Sequence, residues 1–241
     1  MINFSYDSYF SLLNKIKKLN YKIGPLCDFP KTGDAVILRH DIDFSVSRAL
    51  EMAKMEKAAS VRSTYFVMMS SPFYNVLTLE NMNSLRKIKA FGHEIGLHYD
   101  SSLFEDLNQD QMNQRMRVMI QTLETILDMR IISISQHKPA TSRLRPQFAK
   151  YRDAYSPEYT KEIGYLSDSR MHFAVNDVLG FFRQHSRSQL LIHPIWWNKK
   201  PLNRETIFNN FRETSSAEVI DHINKFEAGI KAYFANESRL S

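Results

Sequence analysis

Apolar residues along the chain switch repeatedly between two spacings. Short apolar runs that suit strands alternate with i, i+3, i+4, i+7 patterns that suit helices. Ala35–Asp43 is one such run, AVILRHDID, and it ends in charge. Val46, Ala49, Leu50 and Ala53 follow at helical spacing. Val61–Met68 predicts the next strand, Thr78–Ala90 a helix, and His93–His98 a third strand. A long helix is expected between Asn108 and Leu127, with Met112, Met116, Met119, Leu123 and Ile126 on one stripe. Methionine on such a stripe reads as core filler. Short strands are expected at Ile131–Ser135, Ile163–Ser167 and Gln189–His193. The last helix is expected to open at Ser215-Ser216-Ala217-Glu218, which has capping-box spacing. Val219, Ile223, Phe226, Ile230 and Tyr233 would form its buried stripe.

Strands alternating with helices predict an α/β fold with parallel strands. Several of the strands end in ionisable residues just where the apolar run stops. The first ends in Asp41 and Asp43, the third in His98, and later ones in His137, Asp168 and His193. In parallel α/β barrels the active site lies at the C-terminal strand ends and draws on several strands. Five strand ends carrying metal-ligand or acid/base residues point to one shared site.

Bulk properties narrow the picture. The 241 residues are 43% hydrophobic and 24% charged, ordinary for a soluble globular protein. No Pro/Gly/Ser-rich linker or repeat divides them, so a single catalytic domain over 1–241 is expected. The 32 basic and 26 acidic residues leave a net charge of +6, spread along the chain. The densest basic stretch, Lys15 to Lys18, falls on an amphipathic N-terminal helix and reads as a solvated face. No basic block interleaves with aromatics, so no nucleic-acid partner is expected. An anionic or lipid-linked glycan fits the charge better. Cys27 is the single cysteine, which excludes an internal disulfide and a thiolate zinc site. No signal peptide and no integral membrane segment are expected, which predicts a cytoplasmic location.

The strand ends carry the chemistry. Side chains alternate along a strand, so Asp41 and Asp43 point to one side and Ile42 to the other. Two carboxylates that close repel unless a cation or proton lies between them. One can hold a metal ion while the other takes a proton from water, and strand parity leaves the two roles interchangeable. Arg39 shares that parity and can lie beneath Asp41, holding it ionised.

The segment Gly92–His98 approaches the HExxH protease pattern, but its second histidine arrives one residue late. On a helix the two imidazoles would diverge by about 140°. As a strand, His98 shares a side with Glu94 and is the ligand, while His93 faces the opposite way and packs. His137 precedes Pro139, which ends its strand, and joins the other strand-end groups as a candidate ligand. His193 follows Leu190-Leu191-Ile192 and precedes Trp196-Trp197, an apolar setting for a proton donor. The tryptophans read either as core or as a wall for a sugar ring.

The order of these motifs resembles the polysaccharide deacetylase family, carbohydrate esterases that include chitin and peptidoglycan deacetylases. The resemblance runs from about Val36 to Trp197. His40-Asp41-Ile42-Asp43 is similar to the family's T-F-D-D motif, and Gly92–His98 closely matches G-H-E-I-G-x-H. Asp168-Ser169 is similar to its D-S motif and Leu191-Ile192-His193 to its L-x-H motif. The resemblance implies a distorted (β/α)₇ barrel with parallel strands, outer helices and a divalent metal, usually Zn²⁺. It implies Asp41 as general base, Asp43 and His98 as metal ligands, His193 as the acid, and Asp168 as the group tuning His193.

Two departures stand out. Ser102 occupies the place of the family's second histidine, and His137-Lys138-Pro139 the place of its arginine-proline. A zinc site with three protein ligands needs one more group. His137 is expected to supply it, with Asp100 as the rival, and Arg39 to supply the missing cation. The expected activity is hydrolysis of an N-acetyl group from a sugar or glycan precursor. The alternatives are a deformylase or other linear-amide hydrolase, and a catalytically silent carbohydrate-binding protein.

Overall fold

The computed structural model describes residues 2–139 and 150–240. Helix α1 (Tyr6–Lys18) and strand β1 (Lys22–Gly24) lead into β2 (Ala35–Ile42), α2 (Val46–Ala58) and β3 (Thr64–Met68). Then come α3 (Leu79–Ala90), β4 (Glu94–Asp100), α4 (Gln109–Leu127), β5 (Ser133–His137) and β6 (Arg152–Asp153). The order closes with α5 (Pro157–Thr160), β7 (Gly164–Ser167), α6 (Val178–Gln184), β8 (Arg187–Ile192) and α7 (Arg204–Leu240).

All the strands pair in parallel, in the order β6-β5-β4-β3-β2-β8-β7, with β1 added beside β2. The distortion has a local cause. On one edge β2 gives its first half to β1 (Ala35 to Ile37) and its second half to β3 (Arg39 to Ile42). Among the described residues no ladder joins β6 to β7, so the barrel is open there. Strands β1 and β6, with three and two residues, are too short to print a pattern in the sequence.

Parity sorts the two faces of the sheet. Ile42, Tyr65, Val67, Ile95, Leu97 and Ile134 pack outward against Leu50, Leu85, Ile88, Met116 and Leu123 of the covering helices. Inside, Ile37 and Phe66 pack with Leu26, Ala154 and Tyr159. Gly96 faces Phe66 across one register step. A Cβ there would lie 2.5 Å from the Phe66 ring and 2.8 Å from the Ser133 carbonyl oxygen, so only glycine fits. Deeper in the barrel, buried Glu94 accepts hydrogen bonds from Ser133 Oγ (2.5 Å), Thr64 Oγ1 (2.6 Å) and the Cys27 amide (3.1 Å). A buried carboxylate is tolerable when its oxygens are filled in this way.

A second buried carboxylate ties helix to sheet on the outer side. Glu56 of α2 meets His40 Nε2 (2.6 Å), Ser63 Oγ (2.6 Å), Tyr65 OH (2.9 Å) and the Tyr9 hydroxyl. His93 is buried beside it, accepting from the Ser63 amide at Nδ1 (3.2 Å) and facing the Ala53 carbonyl with Nε2 (3.1 Å). It packs away from the strand-end face, as its parity predicts.

Residues Leu202–Ser241 form a second compact unit, apart from Met1–Pro201. Its helix α7 differs from expectation in two respects. It begins at Arg204, where Asn203 Oδ1 accepts from the Thr206 amide (2.8 Å), and runs through Ser215-Ser216 without a break. Capping chemistry acts only where a chain enters a helix, and here the helix is already formed upstream. The stripe expected to be buried is exposed: Val219 58%, Ile223 53%, Phe226 72% and Ile230 43%. Periodicity states which residues share a face, not what covers it. The Tyr233 side chain lies outside the described residues.

Candidate metal centre and hydrolytic site

The barrel delivers its ionisable residues to one end. Asp43 follows β2, His98 stands near the end of β4, His137 ends β5, Asp168 follows β7 and His193 follows β8. In the sheet Met68 pairs with His98 and His98 with Ser135, so neighbouring strands stop at nearly the same height.

Three of these residues converge on one point. His98 Nε2 lies 3.2 Å from Asp43 Oδ1, His137 Nδ1 lies 3.4 Å from the same oxygen, and the two nitrogens are 3.2 Å apart. Ligands at 2.0–2.1 Å around a tetrahedral zinc are spaced about 3.3 Å apart. The observed triangle has that size. Its atoms are of the right kind as well. His98 Nδ1 lies 3.0 Å from the Ser135 carbonyl oxygen, which can only accept, so Nδ1 carries the proton. In neutral His98 the Nε2 lone pair then faces the triangle, the arrangement found in metal-ligating histidines. Asp43 Oδ1 is buried and, among the described residues, has no partner that meets hydrogen-bond geometry. Burial alone would raise the Asp43 pKa, yet the imidazoles of His137, His98 and His193 hold it well below the carboxylate range. A buried carboxylate oxygen within 3.4 Å of two imidazole nitrogens is a donor set that fits a divalent cation.

Asp100, the rival ligand, does not join the triangle. Its carboxylate accepts from the Ser102 amide (2.9 Å), capping the turn after β4, and Ser102 is exposed.

Asp41 stands beside the triangle, with Oδ2 3.8 Å from His98 Nε2. Arg39 NH1 donates to Asp41 Oδ1 (3.2 Å) and to Ser135 Oγ (2.6 Å), and that hydroxyl reaches Asp41 Oδ2 (3.5 Å). Arg39 is fully buried, its guanidinium carbon 4.5 Å from the Tyr155 ring centre. Burial opposes the guanidinium charge, but Asp41 outweighs it and pushes the Arg39 pKa up.

On another side, His193 Nε2 lies 4.0 Å from Asp43 Oδ2. Its Nδ1 is 2.7 Å from Asp168 Oδ1. Asp168 is fully buried and also accepts from the His193 amide (3.0 and 3.1 Å) and from Trp197 Nε1 (2.8 Å). Burial opposes a charge on His193, yet the Asp168 hydrogen bond and nearby carboxylates outweigh it, raising its pKa to about 9.

All six residues expected at the site are therefore together. Ser135, Tyr155 and the indole of Trp197 were not foreseen. Ser135 shares strand parity with His137 and could have been found that way; Tyr155 and Trp197 give no sequence signal. The tryptophans do not wall a sugar site. Trp196 is 7% exposed, and Trp197 is fully buried against Phe4 and Tyr9, with ring centres 5.1 and 5.0 Å away.

No protein-family model and no curated protein matches the sequence. Among solved structures, the chain is similar to a family 4 carbohydrate esterase from Bacillus anthracis. Identity is 16% over 85% of this chain and 86% of that one, with a TM-score of 0.45. The chitin deacetylase of the fungal pathogen Colletotrichum lindemuthianum shares 15% over 77% and 84%, with a TM-score of 0.44. A CE4 family pseudoenzyme from Bacillus anthracis shares 14% over 77% of this chain, with a TM-score of 0.45. The present chain spans 63% of that pseudoenzyme's length and 64–65% of two of its mutants.

Proposed function

We propose that the chain is a metal-dependent hydrolase that removes an N-acetyl group from a sugar or glycan precursor. The observation that carries this reading is the Asp43–His98–His137 triangle, with edges of 3.2–3.4 Å, flanked by Asp41 and His193. Asp43, His98 and His137 would hold the ion, and Zn²⁺ suits a carboxylate with two imidazoles. Such an ion acts as a Lewis acid toward an acyl oxygen and acidifies water.

The chain's own residues do the rest. Arg39 and Ser135 hold the Asp41 carboxylate in place, so Asp41 takes the proton from the attacking water. Asp168 accepts from His193 Nδ1, which leaves Nε2 turned to the reaction centre as the proton donor. His193 Nε2 protonates the departing nitrogen, without which an amine is a poor leaving group. The reading of a silent binding protein rests on Ser102 in place of the family's second histidine and on the absent arginine; His137 at the third corner and Arg39 beside Asp41 favour catalysis.

Acetate release from a panel of N-acetylated sugars and sugar precursors, measured on zinc-supplied protein, tests the proposal. Release that disappears in Asp41→Asn is expected. Release of formate alone, from N-formyl substrates, would move the reading to a deformylase, and no release from either class would overturn it.

A further inference from the structure

The exposed stripe of α7 has a repeat that the hydrolytic site does not explain. Val219, Ile220, Ile223, Phe226 and Ile230 are 43–72% exposed on one helix. The steps from Val219 to Ile223, Phe226 and Ile230 alternate four and three residues, the a/d spacing of a two-stranded coiled coil. In that register Ile223 and Ile230 take position a, and Val219 and Phe226 take position d. β-branched residues at a favour two strands. We propose that α7 pairs with α7 of a second copy of this chain through this stripe.

The area fits a second copy. The five side chains expose roughly 500 Å² per copy, so a pair would bury about 1,000 Å², the lower bound for a specific interface. Lys225 and Asp221 are paired at 2.6 Å and fall at positions c and f, outside the seam. Over Arg204–Leu240 the helix carries five basic and six acidic residues, so it has no basic excess to draw it to an anionic lipid surface. An isolated amphipathic stripe of this size on a 37-residue helix is stable in water when it is covered.

The proposal does not depend on the hydrolytic reading, and the two can fail separately. Sedimentation velocity of the full chain across a concentration series is expected to give twice the monomer mass. In Ile223→Asp/Phe226→Glu the dimer should weaken more than 100-fold, while the metal content of the protein stays unchanged. In a Cys27→Ser background, Ile223→Cys should oxidise to a cross-linked pair and Asn224→Cys, at position b, should not. A monomer at every concentration, or equal cross-linking at both positions, would overturn the proposal. So would a chain that stays monomeric and sediments with phosphatidylcholine or phosphatidylglycerol vesicles.

Discussion

Arg39 and Asp41 stand two residues apart on β2, and Arg39 NH1 lies 3.2 Å from Asp41 Oδ1 inside the barrel. A strand places i and i+2 on the same side, so the cation that faces Asp41 comes from its own strand. Arg39→Met should leave a buried carboxylate uncompensated, at a cost of about 3–5 kcal/mol of stability. Arg39→Met/Asp41→Asn should recover much of that stability and none of the turnover. Thermal unfolding and acetate release on the two variants check this; full turnover in Arg39→Met would contradict it.

The two carboxylates of β2 should separate by role. Asp41→Asn is expected to keep the metal and lose turnover by on the order of 10²- to 10⁴-fold, as for loss of a general base. Asp43→Asn should lose the metal itself. Equal metal loss in both would show that the roles do not divide as assigned.

Asp168 is expected to act through His193 without touching substrate. Asp168→Asn removes the negative charge and one of two accepting oxygens, setting an amide NH2 against a donor from His193 or Trp197, so kcat should fall while the metal content stays at the wild-type level. Trp197→Phe removes one donor to Asp168 Oδ2 and should lower kcat less than Asp168→Asn. Loss of metal in Asp168→Asn would mean that it supports the ion instead.

Acid should destabilise the fold through Glu56. Burial alone would raise its pKa, but His40, His93 and Ser63 outweigh that and lower it to about 2 from an ordinary 4.5. Its contribution is therefore present above about pH 4.5 and is lost as pH falls toward about 2, on the order of 3 kcal/mol. In Glu56→Gln that part of the pH dependence should vanish, as read from denaturant midpoints between pH 5 and 2.

Much of this site is legible in the sequence, because alternation along a strand and the stop of an apolar run locate a side chain in a barrel. Asp41, Asp43, His98 and His193 follow from those two rules. His137 needed more: its strand runs two residues later than its apolar pattern suggests, and only its register beside β4 carries the ring to the triangle. Tyr155 above Arg39 and the Trp197 indole under Asp168 come from loops, whose path no periodicity encodes. The exposed stripe of α7 marks the other limit, since helical spacing is the same for a covered and an uncovered face.

The proposed cation site at Asp43, His98 and His137 is tested most directly by metal stoichiometry. Protein purified without chelator, supplied with zinc and dialysed, should retain about one equivalent by elemental analysis, as a three-ligand site implies. His137→Ala should retain far less, with an affinity loss beyond the 10- to 100-fold typical of groups that only support a ligand. Wild-type protein that retains no metal, or His137→Ala that retains a full equivalent at unchanged affinity, would contradict the site.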